Sequence, residues 1–120
     1  MKRWILIIGL GSAILSAEGL EWNNKKMIAQ GRNIFAKNCA SCHGKNAQGQ
    51  GNFPSLKAGH ITHHSPQKLL KQIADGGKSM PAFKGKLTKK ERQSAFVYVH
   101  SLWSEKMKKH YQKKFNLKEK

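Results

Sequence analysis

The sequence predicts an all-α chain built on three main helices, and three observations carry that prediction. Apolar residues recur at helical spacing in three separate segments, and no segment shows the strict alternation of a half-buried strand. Residues 44–64, between the first two helices, are rich in Gly, Asn and Gln and read as loop. So long a loop in a small domain points to a functional segment or one wrapped around something. The chain's 120 residues allow one domain, and with 38% apolar and 8% aromatic residues its own core is modest. A built-in cofactor would add much to such a core.

In chain order, Lys2 and Arg3 precede fourteen uncharged residues, Trp4 to Ala17, dominated by Ile and Leu. A run this short fits the apolar region of a signal peptide better than a membrane span. Ala17-Glu18-Gly19 places small residues where a signal peptidase reads them, so residues 1–19 are the expected leader; the alternative is an uncleaved N-terminal anchor. Either way the chain is expected outside the cytoplasmic membrane, in the periplasm or anchored there by its N-terminus. That location argues against nucleic acid as the partner, which 23 Lys+Arg against 6 Asp+Glu, a net charge of +17, would otherwise suggest.

In the first helix Met27, Ile28, Gly31, Ile34 and Phe35 make the apolar side, and the pattern stops near Asn38. Ser65 is the cap of the second, Pro66 suits its first position, and Leu69, Leu70 and Ile73 form its apolar face. Gly76-Gly77 ends it. The third opens on the capping box Thr88-Lys89-Lys90-Glu91 and carries Ala95, Phe96, Val99, Leu102 and Trp103. Gly31 lets the first helix approach the last closely, with Phe35, Tyr98 and Trp103 expected to pack edge to face. Residues 104–120 contain seven lysines, and Trp103, Met107, Tyr111 and Phe115 recur every four residues. Residues 105–120 thus read as a basic helical tail. One reading makes it an extension of the last helix, packing a few aromatics on the domain. The other makes it a basic amphipathic segment that meets an anionic membrane surface or an acidic redox partner.

The strongest motif is Cys39-Ala40-Ser41-Cys42-His43. Two thiols at this spacing can add to the two vinyl groups of one haem, with the adjoining histidine held under the iron, and the pattern reads as c-type haem attachment. A thioredoxin-like redox site needs a βαβ setting, and none is visible. A closed zinc site needs four ligands. Cys39, Cys42 and His43 give three, and His60, His63 or His64 could add a fourth. Export favours haem, because in bacteria covalent haem attachment takes place outside the cytoplasm.

These residues, taken with others in the same order, make the chain resemble a small class I cytochrome c of bacterial type over roughly residues 27–104. Gly31 and Phe35 precede the haem motif, and Cys39 to Gly44 reads CASCHG. Pro54 follows His43 by eleven residues. Gly77-Lys78-Ser79-Met80-Pro81-Ala82-Phe83 looks like the family's distal-ligand loop, and a helix with Tyr98, Leu102 and Trp103 completes the set. The resemblance implies a cytochrome c-like fold over residues 22–104, its three main helices and loops wrapped around one haem c. Cys39 and Cys42 would attach that haem, and His43 would be one axial ligand. The Pro54 carbonyl would accept a hydrogen bond from the other ring nitrogen of His43. Met80 would be the sixth ligand, with His60, His63 and His64 as competitors. Among the methionines Met1 is lost with the leader, Met27 lies on a helical apolar face and Met107 lies in the tail. Phe53, Leu56, Leu69, Ile73, Phe83, Phe96 and Val99 are candidates for the haem crevice. Lys78 and Ser79 could meet a haem propionate.

The implied function is an exported monohaem electron carrier rather than an enzyme. It would act as a monomer between donor and acceptor proteins with acidic docking surfaces. Two alternatives stand beside it. One is a haem protein whose open or displaceable sixth site binds a small ligand or does catalysis. The other is a cytochrome subunit docked permanently on an oxidase or dehydrogenase.

Overall fold

A computed structural model describes residues 19–77 and 79–118; the expected leader, apart from Gly19, lies outside the described residues, as does Lys78. Five helices follow in order: α1 (Lys25–Asn38), the single turn α2 (Ala40–His43), α3 (Pro66–Asp75), α4 (Lys89–Ser101) and α5 (Glu105–Lys114), with a 3-10 turn over Gly59–His63. Among the described residues there is no strand, only isolated bridges at Gln50–Phe53 and Gly77–Met80. The fold is all-α, and the ends of its helices follow local chemistry. Asn24 caps α1 by accepting from the Met27 amide at 2.9 Å. Ser65 caps α3, with Pro66 at its first position. Thr88 and Glu91 form both halves of the capping box on α4.

The frame is the packing of α1 on α4. Residues Gln93 to His100 of α4 are all buried, and Met27, Gly31 and Phe35 of α1 face the interior. At the crossing a side chain on residue 31 would place its first carbon 2.5 Å from the Ser94 carbonyl carbon and 2.9 Å from the Tyr98 Cβ. Only glycine permits this approach. Above the crossing Phe35 packs on Tyr98, ring centres 5.5 Å apart at a tilt of 55°.

Trp103 does not join that pair, contrary to the sequence expectation. Its indole donates to the Leu56 carbonyl at 2.8 Å and its ring meets Tyr111 edge-on, centres 5.0 Å apart. These contacts belong to a second part of the core, in which Leu20, Trp22, Met27, Ile61 and Phe96 also take part. The tail is the reason. It is not an extension of α4: the chain turns at Leu102–Trp103, and Ser104 starts a new helix by accepting from the Met107 amide at 3.2 Å. Helix α5 then folds back on the 3-10 turn, where Tyr111 is fully buried and its hydroxyl donates to the His64 carbonyl at 2.7 Å. A left-handed Asn116 closes α5, and the Leu117 amide reaches back to Gln112 at 2.9 Å, a Schellman ending that lays Leu117 on the core.

His100 lies between Trp22 and Trp103, with ring centres at 4.4 and 5.0 Å, and its Nδ1 meets no hydrogen-bond partner among the described residues. Burial, and after it the charge of Lys108, pushes its pKa down to about 4. The folded protein therefore holds a neutral imidazole that the unfolded chain protonates near pH 6.5. Stability contributed by this group is complete above that value and is lost as the pH falls towards 4, by roughly 3 kcal/mol in all. Urea unfolding between pH 7 and 4 should show this decline, and His100→Leu should reduce its slope; an equal slope in the variant contradicts the assignment. Gly31→Ala should lower stability by about 1–3 kcal/mol through overpacking. An unchanged thermal midpoint would mean that α1 and α4 do not meet as described.

Candidate functional site

Helices α1, α3 and α4 and the loops between them enclose a cavity of about 800 Å³. Its size falls within the range of small-molecule and cofactor sites. Apolar side chains make most of the wall: Phe35, Phe53, Leu56, Leu69, Ile73, Phe83, Phe96 and Val99 among them. Every crevice residue expected from the sequence is present. The wall also holds Cys39, Cys42, His43, Pro54 and Met80, so the structure brings all the predicted site residues to one space.

The first of these comes from the end of α1. The Cys39 amide still donates to the Phe35 carbonyl at 2.8 Å, but its backbone leaves the helix, and the chain restarts as α2. One turn later the His43 amide bonds to the Cys39 carbonyl at 3.0 Å, which stacks the histidine over the first cysteine. Gly44, at φ +90°, ends the turn. Burial, and then the neighbouring Cys42, pushes the Cys39 thiol up to about 11, so at neutral pH it is a protonated thiol. Thioredoxin-like sites depend on a thiol moved the other way.

The loop after α2 returns to hold the histidine. The Gly49 amide donates to the His43 carbonyl at 2.7 Å, and the Gln50 amide side chain donates to Ser41 at 2.6 Å. The buried Ala47 carbonyl accepts from the Leu56 amide at 2.8 Å and from the Ser55 hydroxyl at 3.3 Å. These bonds bring the Pro54 carbonyl oxygen within 3.2 Å of His43 Nδ1. A carbonyl oxygen only accepts, so Nδ1 carries the proton and Nε2 keeps a free lone pair.

Met80 reaches the cavity through the loop after α3. Gly77 and Met80 exchange both backbone hydrogen bonds, at 2.9 and 2.8 Å. The Phe83 and Lys84 amides then bind the last carbonyls of α3, Ile73 and Ala74, at 3.1 and 3.0 Å. The loop is tight enough that Gly76, at φ +70°, has no room for a side chain: a Cβ there would lie 2.5 Å from the Met80 carbonyl oxygen.

His60, His63 and His64 are exposed and do not line the cavity. Of the candidate sixth ligands, Met80 is the one that lines it. Among the described residues no group of three or more His, Cys, Asp and Glu is placed to hold a bare metal ion. Sequence reasoning did not assign Phe35, Asn38, Ile61, Gln72 or Leu87 to the wall. Phe35 was read as helix packing, and it does both.

The donor set tests what the cavity fits. Two thiols lie at one end, an imidazole nitrogen is free beside them, a thioether sulfur enters from another loop, and the remaining wall is apolar. This matches a covalently held haem with nitrogen and sulfur axial donors.

Comparison with known proteins gives the same direction. Residues 26–99 match the family described as cytochrome c oxidase, cbb3-type, subunit III. The cbb3-type cytochrome c oxidase subunit FixP of Bradyrhizobium sp. is 34% identical over 103 residues, covering 80% of this chain. The match takes in only 34% of FixP, so this chain spans about a third of that relative. Cytochrome c6 of Nostoc sp. is 36% identical over 105 residues, 82% of this chain and 92% of the relative. Among solved structures, cytochrome cL of the marine methylotroph Methylophaga aminisulfidivorans superposes with a TM-score of 0.65 at 25% identity. That superposition covers 82% of this chain and 70% of the other.

Gly76→Ala should cost about 2 kcal/mol, because it meets both a left-handed backbone and the carbonyl of Met80. Thermal unfolding measures it, and a midpoint equal to wild type would contradict the loop geometry.

Proposed function

The chain belongs to the c-type cytochromes, in the family of cbb3-type cytochrome c oxidase subunit III, and from that premise we propose that it carries single electrons between redox proteins. Its cofactor is one haem c. The observation that carries the reading is the convergence of Cys39, Cys42, His43 and Met80 on one apolar cavity.

When bound, haem c supplies a one-electron couple between ferric and ferrous iron. The residues of the chain do the rest. Cys39 and Cys42 would hold the group by two thioether bonds. His43 would offer Nε2 to the iron, because the Pro54 carbonyl accepts from Nδ1 and fixes the ring. The Met80 thioether would supply a soft, neutral donor that favours the ferrous state and raises the potential. The backbone bridge between Gly77 and Met80 fixes the loop that would present that sulfur. Phe83, Phe96 and Val99 keep water from the site, which also raises the potential. A carrier of this kind binds no substrate and works by outer-sphere transfer.

The partners are a donor and an acceptor protein with acidic docking surfaces, met in short-lived complexes. The excess of Lys and Arg steers such encounters and makes them sensitive to salt. The leader expected over residues 1–19 puts the protein outside the cytoplasmic membrane. Among the described residues no helix is long and apolar enough to cross a membrane. The family match favours a second reading, a module docked on an oxidase. The cytochrome c6 relative, matched over 92% of its length, favours the free carrier.

Spectra of the purified haem protein test the carrier reading. It predicts low-spin iron in both oxidation states, a sulfur-to-iron charge-transfer band in the oxidised form, and no change on adding carbon monoxide. High-spin iron or ready carbon monoxide binding contradicts it and favours an open sixth site. Met80→Ala should abolish the sulfur band; its persistence removes Met80 as ligand.

A further inference from the structure

Helix α5 divides its residues cleanly. Its apolar side turns to the core: Tyr111 is fully buried, and Met107, Phe115 and Leu117 after it are partly buried against the core. The solvent side carries Lys106, Lys109 and Lys113 with His110 among them, and Lys114 lies at its edge, its ammonium 5.5 Å from the centre of the Phe115 ring; all are exposed. Lys108 takes the one acidic residue of the helix, Glu105, at 3.4 Å, and the four exposed lysines make no ion pair among the described residues. At 1.5 Å per residue these lysines lie along roughly 12 Å of helix.

This face looks away from the electron-transfer site. None of α5 lines the cavity; the layer of Trp22, Trp103, Ile61 and Phe96 lies between them, and Ile61 and Phe96 are themselves cavity wall. A surface here can hold a partner while the cavity side stays free for redox exchange.

We propose that the exposed face of α5 docks the protein on an anionic lipid surface. The composition of the face decides between occupants. Stable protein interfaces centre on aromatic and apolar anchors and are poor in lysine. This face has no exposed apolar anchor and consists of lysines, which are compact, strongly hydrated point charges. Such a strip suits a plane of phosphate headgroups, where each lysine adds attraction without a specific partner. The apolar stripe packs on the core rather than facing the lysines, so the contact made by this face is electrostatic and reversible by salt.

The test uses the full haem protein and vesicles of phosphatidylcholine with and without about one third phosphatidylglycerol, read by sedimentation at low ionic strength. Two variants carry equal charge loss: Lys106, Lys109, Lys113 and Lys114→Gln on α5, and Lys25, Lys26, Lys89 and Lys90→Gln at the starts of α1 and α4. Both are first checked for wild-type helicity. Wild type should bind only the anionic vesicles and leave them in high salt. At about fivefold per lysine, the α5 variant should lose roughly a hundredfold or more in affinity and the control less than tenfold. Equal losses in the two variants would reduce the effect to net charge and overturn the proposal. Failure of wild type to bind anionic vesicles would overturn it as well and return the face to an acidic protein partner.

Discussion

Helix α1 lies against α4 only because residue 31 has no side chain to strike Ser94 and Tyr98. That close passage positions α1, and the end of α1 is where Cys39 and the turn carrying Cys42 and His43 begin. The same passage directs Ala95, Phe96 and Val99 of α4 toward these residues across one cavity. The loops then complete the site from two sides, one bringing the Pro54 carbonyl to the histidine and the other bringing Met80. Each loop is held by backbone hydrogen bonds to a neighbouring helix or turn, so the proposed ligands stand on segments tied to the frame.

The chain is short and poor in apolar residues, and much of what apolar surface it has faces the cavity. Packing and function therefore draw on the same side chains. Phe96 belongs to the core with Trp22 and Trp103 and also walls the cavity, and Phe35 packs on Tyr98 while doing the same. A haem attached here would bury its apolar faces among these surfaces as the chain folds, and that burial adds to stability. The apolar wall that supports folding also excludes water from the iron site and so helps set its potential.

Local chemistry made much of this legible. Ser65 with Pro66, Thr88 with Glu91, and Gly76 mark helix ends that the structure keeps, and the CxxCH spacing marks one wall of the site. Met80 and Pro54 were read through family resemblance, since nothing near them in sequence says which space they enter. Long-range packing was not legible. The indole of Trp103 and the hydroxyl of Tyr111 each bond to a carbonyl 47 positions away, and no periodicity announces such partners. The break before α5 did carry a local signal, a Ser104 cap followed by Glu105, but the four-residue recurrence through Trp103 and Met107 concealed it. The tail's aromatic stripe was visible; that it would be spent on the chain's own core followed from the fold.

The central claim is that Cys39 and Cys42 together hold one haem in the cavity between α1, α3 and α4. Intact-mass measurement of the denatured mature protein, after treatment with a thiol alkylating reagent, tests it most directly. The account predicts the polypeptide plus one haem, with no alkyl group added. A polypeptide without haem and with two alkylated thiols, or one with haem and a single alkylated thiol, would contradict it.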